Sequence, residues 1–252
     1  MTGRERSKTQ IDREVKEKLG ITKFDLITEG LSDDEKICVE TSNGKRFLLR
    51  VSNISEYKRK KAIFDIMKKA DNLGVPMCRP VDFGICNDGK NVYQLLTWCE
   101  GVNAESILSS LPEAEQYAVG KKAGEILQTI HSIPAPQDLD NWQERYFSQN
   151  DERIKAFSSC NLQIDGSDLL FKYIEKNKHL LNNRPQCLQH GDYHIGNLMI
   201  ASGNDVSVID WELLDFDNFA DPWNEFSRIG LSEVRPYFTT GLIRGYFGGE
   251  HR

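Results

Sequence analysis

Between residues 190 and 210 the chain sets a histidine, two aspartates and an asparagine around a short patterned segment. His190-Gly191-Asp192-Tyr193-His194-Ile195-Gly196-Asn197 is followed by the apolar run Leu198-Met199-Ile200, a turn Ala201-Ser202-Gly203-Asn204-Asp205, and the run Val206-Ser207-Val208-Ile209 that ends at Asp210. Two apolar runs either side of a polar turn predict an antiparallel hairpin. Asn197 immediately precedes the first strand and Asp210 immediately follows the second, so closing the hairpin brings both side chains to one end. Two hard oxygen ligands, with Asp192 five residues upstream of Asn197, suit a magnesium ion that bridges nucleotide phosphates. The corresponding chemistry is phosphoryl transfer, which asks a protein mostly for charge neutralisation and alignment. In that reading Asp192 accepts a hydroxyl proton, Asn197 and Asp210 hold Mg²⁺, and His190 braces the loop by packing and hydrogen bonding rather than by titrating. The plainer alternative is a polar loop whose Asp and Asn stabilise turns, and the hairpin context favours the first reading. His194 reads as a structural neighbour.

Two kinds of element have to position this segment. Phe24–Thr28, Lys36–Thr41 and Arg46–Val51, separated by Gly30-Leu31-Ser32-Asp33-Asp34 and Ser42-Asn43-Gly44-Lys45, have the pattern of a three-stranded meander. A helix follows from about Ser55 to Leu73, closed by Gly74 and Pro76, and Val92–Thr97 is a further strand. From Val102 onward the periodicity is helical. Pro112 opens a helix whose apolar residues Ala114, Tyr117, Ala118, Ile126, Leu127 and Ile130 recur at three- and four-residue intervals up to Pro134. Leu169, Leu170, Tyr173, Ile174 and Leu181 suggest a second helix, after a polar stretch, Gln137–Asn150, that resembles a surface connection. The change from strands to helices falls near Thr97–Gly101.

Composition narrows the partners. The 252 residues carry 38 acidic and 32 basic side chains, a net charge of −6, which argues against binding nucleic acid by phosphate neutralisation and favours a cationic ligand. The charged first ten residues lack the apolar run of a secretory signal, and no stretch approaches a membrane span, so the expected location is cytoplasmic and no membrane partner is expected. Six cysteines at irregular spacings, with no C-x-x-C pair, read as reduced thiols.

At the residues from His190 to Phe226 the sequence resembles the eukaryotic-like kinase superfamily, in its branch of aminoglycoside phosphotransferases and choline/ethanolamine kinases. The resemblance lies in His190-Gly191-Asp192, in Ile209-Asp210-Trp211-Glu212, and in Asp221-Pro222-Trp223-Asn224-Glu225-Phe226. Gly191 stands where protein kinases carry an Arg that answers a phosphorylated loop, which implies a small-molecule kinase without that gating. The resemblance implies an α+β, two-lobe kinase-like fold: an N-terminal antiparallel sheet with one helix over 1–96, a hinge at 97–101, and a mainly helical lobe over 102–252. It also implies ATP or GTP as co-substrate, with Mg²⁺. Arg50 occupies the position of the third-strand lysine that contacts the α/β-phosphates. Ser32 is a donor from the nucleotide loop, and the backbone of Thr97 and Cys99 would read the base.

Three departures stand out. The loop Gly30–Glu35 has one glycine and three consecutive acids where bare amides would serve phosphate better. The helix after Arg50 lacks a glutamate at the expected place, leaving Glu56 or Asp65 as its partner. Only 42 residues follow Asp210, which leaves a pared-down acceptor site or a shortened version of a longer protein, and the tail Gly248-Gly249-Glu250-His251-Arg252 supplies little with which to close a core. The acids Glu212, Asp215, Asp217, Asp221 and Glu225 are the candidate binders of a small cationic, hydroxyl-bearing acceptor, aminoglycoside-like first. The alternatives are a choline/ethanolamine-type or other metabolite kinase, for which Trp211 and Trp223 could form an aromatic cage, and a nucleotide-binding pseudokinase.

Overall fold

The computed structural model describes residues 13–28, 34–160, 163–211, 218–229 and 235–249, with the side chains of Glu14, Arg228 and Ile229 left aside. Helix α1 (Arg13–Leu19) leads into β1 (Ile21–Ile27), β2 (Glu35–Thr41) and β3 (Arg46–Asn53). Helix α2 (Tyr57–Asn72) then precedes β4 (Pro80–Cys86) and β5 (Asn91–Thr97). The five strands form one antiparallel sheet in the order β1-β2-β3-β5-β4.

The period of two along β3 divides the sheet into two faces. Leu49 and Val51 pack with Ile37, Val39, Tyr93, Leu95 and Val15 of α1 in a small core on one side. Leu48 turns to the other side and joins Leu96, Ile63, Phe64 and Met67 of α2 in the main core, which continues into the rest of the chain. Arg50 and Ser52 share the face of Leu48. Lys36 on β2 and Gln94 on β5 are the register partners of Arg50, so the three polar side chains form one row across that face.

Beyond Thr97 come β6 (Val102–Asn103), α3 (Ala104–Ile107), α4 (Glu113–His131), α5 (Trp142–Ser159) and α6 (Ser167–Asn177). Then follow β7 (Cys187–Leu188), β8 (Leu198–Ile200), β9 (Val206–Val208), β10 (Phe219–Ala220), α7 (Pro222–Ile229) and α8 (Pro236–Phe247). Strands β8 and β9 are the expected hairpin, pairing Leu198 with Val208 and Ile200 with Val206. Residues 142–150, read from sequence as a surface connection, are helical instead. Helix α5 carries its apolar residues Trp142, Tyr146, Phe147, Ile154 and Phe157 half-buried and widely spaced among polar ones, and its start is fixed by the Asn141 carboxamide, which accepts from the Gln143 N–H at 2.9 Å. The sequence reading also missed α1 and β4.

Helix α8 closes the core through backbone contact with α4. A Cβ placed at Gly120 or Gly124 of α4 would strike the carbonyls of Phe238 or Leu242 on α8, and one at Gly241 or Gly245 would strike Tyr117 or Lys121. Four reciprocal glycines thus let two helices touch main chain to main chain, and Phe238 and Leu242 are buried against α4. No helix among the described residues is long and apolar enough to cross a membrane.

Candidate active site

The loop that carries Asp192 is built over a buried carboxylate. Strand β10 pairs with β7 and delivers the start of α7 beneath the loop, where Glu225 accepts the N–H groups of His190 and Gly191, each at 2.8 Å. Gly191 sits at φ +95°, a conformation that side chains other than hydrogen resist, and this turn presents both amides to one side chain. His190 is fully buried. Its Nε2 donates to the Ile209 carbonyl at 3.0 Å and its Nδ1 accepts from the Asp192 N–H at 3.3 Å, which fixes a neutral tautomer. Burial holds its pKa below the ordinary value despite the Glu225 charge, and the ring packs on Trp211 (4.8 Å) and Tyr193 (5.7 Å).

Asp192 and Asn197 are in contact. The Asn197 amide donates to the Asp192 carbonyl at 2.9 Å and to its Oδ2 at 3.1 Å. His194 accepts the Gly196 N–H on Nδ1 at 3.0 Å, so its protonated Nε2 faces Asp192 Oδ2 at 3.3 Å. Asn197 ends the short helical turn before β8, and its carbonyl accepts the N–H of Ile209, which sets Asp210 beside it. Asp210 lies at φ +61°, a left-handed conformation that Asp tolerates better than most residues. Arg50 Nη1 meets Asp210 Oδ1 at 2.7 Å, and Lys36 Nζ lies 3.7 Å from Oδ2. Burial pushes the Asp210 carboxyl up, but Arg50 and then Lys36 outweigh it and leave the pKa below the usual range.

Lys36, Arg50, Asn197 and Asp210 line one end of a cavity of about 340 Å³ between the sheet and the hairpin, and Asp192 touches it through Asn197. Leu48, Leu96, Met199 and Ile209 form apolar walls, and Lys36, Arg50, Asn197 and Asp210 form the polar end. Trp98 and Cys99 line the cavity where β5 ends, whereas Thr97 is outside the lining and its hydroxyl accepts from the Arg79 N–H at 2.8 Å. The Cys78 thiol donates to Cys99, which raises the pKa of Cys78 and lowers that of Cys99. A dicarboxylate-rich metal cage is absent among the described residues. The donor set fits a magnesium ion shared with phosphates: one carboxylate at Asp210, and the Asn197 Oδ1 left over when its amide nitrogen serves Asp192.

Ser32, Glu212, Asp215 and Asp217 lie outside the described residues. Asp221 and Glu225 are described, and they do not face an acceptor. Asp221 is 2% exposed and clasped by Arg184 (2.6 and 2.9 Å) while it accepts the Trp223 N–H; Glu225 is equally buried beneath the loop. Their carboxylates are consumed by internal donors, so the expectation that they bind a cation is corrected. Trp211 is likewise spent on His190, and exposed Trp223 packs at a tilt against Phe226, so the two do not form a cage. Glu56 and Asp65 are not partners of Arg50: Glu56 lies 3.7 Å from Arg59, and Asp65 accepts from Lys61 at 2.6 Å. The sequence reading missed Asp34, Lys36 and Lys60. Lys36 was findable, because a meander register pairs it with Arg50.

A five-stranded antiparallel sheet with helices α1 and α2, followed by a mainly helical region that carries the β8–β9 hairpin, is a kinase-like fold. The chain belongs to the phosphotransferase enzyme family, whose pattern it matches over residues 23–251, and it is a small-molecule kinase by that membership. Its fold is that of solved aminoglycoside phosphotransferases. The streptomycin–ATP–APH(2'')-IIa ternary complex superposes with a TM-score of 0.70 at 17% identity, covering 95% of this chain and 83% of that one. ADP-bound APH(2'')-Ib gives 0.67 at 17% identity, with 93% and 80% covered. A thermostable mutant of APH(4)-Ia with ADP and hygromycin B gives 0.61 at 18% identity, with 87% and 76% covered. Comparison with curated protein sequences gave no match.

Proposed function

We propose that this enzyme transfers the γ-phosphoryl group of ATP or GTP to a hydroxyl of a small cationic, aminoglycoside-like acceptor. The observation that carries the reading is that Asn197 and Asp210 stand side by side at the polar end of the cavity, with Asp192 held against Asn197 and with Arg50 and Lys36 on Asp210. Asp192 takes the acceptor's hydroxyl proton as the new O–P bond forms, and the bond from the γ-phosphorus to the bridging oxygen breaks to release the nucleoside diphosphate. Arg50 and Lys36 hold the α- and β-phosphates, and the apolar walls near Trp98 and the Thr97–Cys99 backbone receive the base. Asn197 and Asp210 would hold Mg²⁺, which supplies charge neutralisation for the transferring group. Glu225 and His190 keep the loop in the shape that aims Asp192. The ligands bound in the structural neighbours, streptomycin, gentamicin, hygromycin B and spectinomycin, support an acceptor of that class.

The test is Mg²⁺-dependent transfer from ATP and GTP to aminoglycosides, choline, ethanolamine and amino sugars, read by product mass. The expected result is a phosphorylated aminoglycoside, with Asp192→Ala slower by roughly 10²–10⁴. Product with choline alone would replace the acceptor class. Absence of any thermal shift at millimolar nucleotide, where 100 times Kd should add about 2.7 kcal/mol, would remove the kinase reading itself.

A further inference from the structure

The helix beside a third-strand cation in a kinase-like fold is the natural place to look for a carboxylate that orients it, and α2 provides none. Asp65 faces Lys61 and Glu56 faces Arg59. The residue of α2 that reaches Arg50's surroundings is Lys60, a cation whose side chain is 4% exposed, while Ile63 lines the cavity with an aliphatic group. The carboxylate comes instead from Asp34, the residue before β2. Its Oδ2 meets Arg50 Nη2 at 2.7 Å, Arg50 Nε at 3.0 Å and Lys60 Nζ at 2.6 Å, and its Oδ1 accepts from Ser52 Oγ at 2.7 Å.

Two buried cations on adjacent elements repel and lose hydration unless an anion lies between them. The order Lys60, Asp34, Arg50, Asp210 alternates in sign, so each charge is held by the opposite one. Burial alone would push the Asp34 carboxyl up, yet the Arg50 and Lys60 charges bring it below the usual range. Arg50 is thereby fixed on both edges of its guanidinium: Asp34 takes Nε and Nη2, and Asp210 takes Nη1.

We propose that Asp34 and Lys60 are the positioning pair for Arg50, an arrangement in which the carboxylate has moved from the helix to the strand connection and the helix carries the countercharge. Asp34 aims the guanidinium along the cleft toward the nucleotide phosphates, and Lys60 fixes Asp34 and ties α2 to the start of β2. The inference rests on the reading of Arg50 as a nucleotide ligand. It differs from simple charge screening, because a screening acid would weaken phosphate binding and its removal would only tighten it.

The experiment compares the parent with Asp34→Asn, Lys60→Met, the conservative Lys60→Arg and the double variant Asp34→Asn/Lys60→Glu, which moves the carboxylate back to the helix. Two readouts are taken: ³¹P resonances of bound Mg²⁺–ATP, and ADP release with gentamicin or water as acceptor. Both single charge-removing variants should shift the α- and β-phosphate resonances and slow ADP release by roughly 10–100-fold, since misorientation by about an ångström costs that much. Lys60→Arg should stay near the parent, and the double variant should recover most of the rate and the parent's resonances. Tighter nucleotide binding at unchanged rate in Asp34→Asn would overturn the proposal in favour of screening. Unchanged resonances and rate in folded Lys60→Met, judged by near-ultraviolet circular dichroism, would overturn it as well. A parent that binds no nucleotide overturns the kinase reading and this inference together, whereas a binding parent with indifferent variants overturns this inference alone.

Discussion

Glu225 and Asp34 are both buried and both held below their ordinary pKa, but the first is held by His131 together with the loop's main-chain amides and the second by side-chain cations. Beneath the catalytic loop, burial disfavours the Glu225 charge, and a hydrogen bond from His131 with the amide and ring of His190 restores it. At the cleft's other wall Arg50 and Lys60 do the same for Asp34. The difference determines what each carboxylate can control. An acid bound to amides fixes backbone, hence the shape of a loop; an acid bound to long side chains fixes the direction of a charge.

The sharpest way to break that contrast is Glu225→Gln. A carboxamide oxygen can satisfy one of the two amides, while its NH₂ faces the other donor, so the variant combines a lost anion with an opposed dipole. The expected cost is about 3–5 kcal/mol in denaturant unfolding, with turnover falling further than stability because Asp192 is carried by the same loop. Stability lost with full turnover in the surviving folded enzyme would show that the amides only support packing.

Asp34→Asn should cost less, about 1–3 kcal/mol, because Arg50 keeps Asp210 and the carboxamide oxygen can still accept one donor. Its effect on turnover should exceed its effect on unfolding. If the two substitutions destabilise equally, side-chain cations and backbone amides are equivalent supports and the contrast fails.

Acidification sharpens the comparison through linkage. Both carboxyls have folded pKa values below those of the unfolded chain, so their stabilisation is complete above about pH 4.3 and is lost as pH falls through the folded values. His190 acts in an earlier window. Its folded pKa is lowered, mainly by burial, so below about pH 6.5 the unfolded chain binds a proton that the folded chain refuses, and stability declines. Unfolding free energies from pH 7 to 3 should therefore fall in two stages. Glu225→Gln should flatten the lower stage, and a single-stage decline in the parent would contradict the assignment.

The same contrast explains what the sequence made legible. Asp192, Asn197 and Asp210 could be read because they flank a hairpin, and a hairpin's period and turn fix which residues meet. The strands around Arg50 were legible for the same reason. Asp221 and Glu225 were visible as acids in a recognisable segment, but whether an acid faces solvent or buried amides depends on how α7 docks beneath the loop, a non-local contact between residues 34 or 35 positions apart. Asp34 was hidden among three consecutive acids, where local sequence cannot tell the one that points inward. The start of helix α5 was missed because its apolar residues are widely spaced among polar ones, and the closing role of α8 because its signal is glycine, which reads as a break until a second helix lies against it.

The smallest expected effect tests where the amide-bound support ends. His131 Nε2 lies 3.4 Å from Glu225 Oε2, and its Nδ1 is 2.8 Å from the Tyr246 hydroxyl on α8. A neutral imidazole that donates to Glu225 must accept from Tyr246, which gives a chain from the phenol through the ring to the carboxylate. Tyr246→Phe keeps the ring packed edge-on against His131 and removes only the hydroxyl donor. The amides of His190 and Gly191 stay at 2.8 Å from Glu225, so the loop should keep its shape. The expected result is a loss of about 0.5–1.5 kcal/mol in unfolding with turnover within twofold of the parent. A turnover loss larger than the stability loss would mean that α8 sets the aim of Asp192 through this chain, and the division between backbone-fixing and charge-fixing carboxylates would have to include a third, side-chain route to the loop.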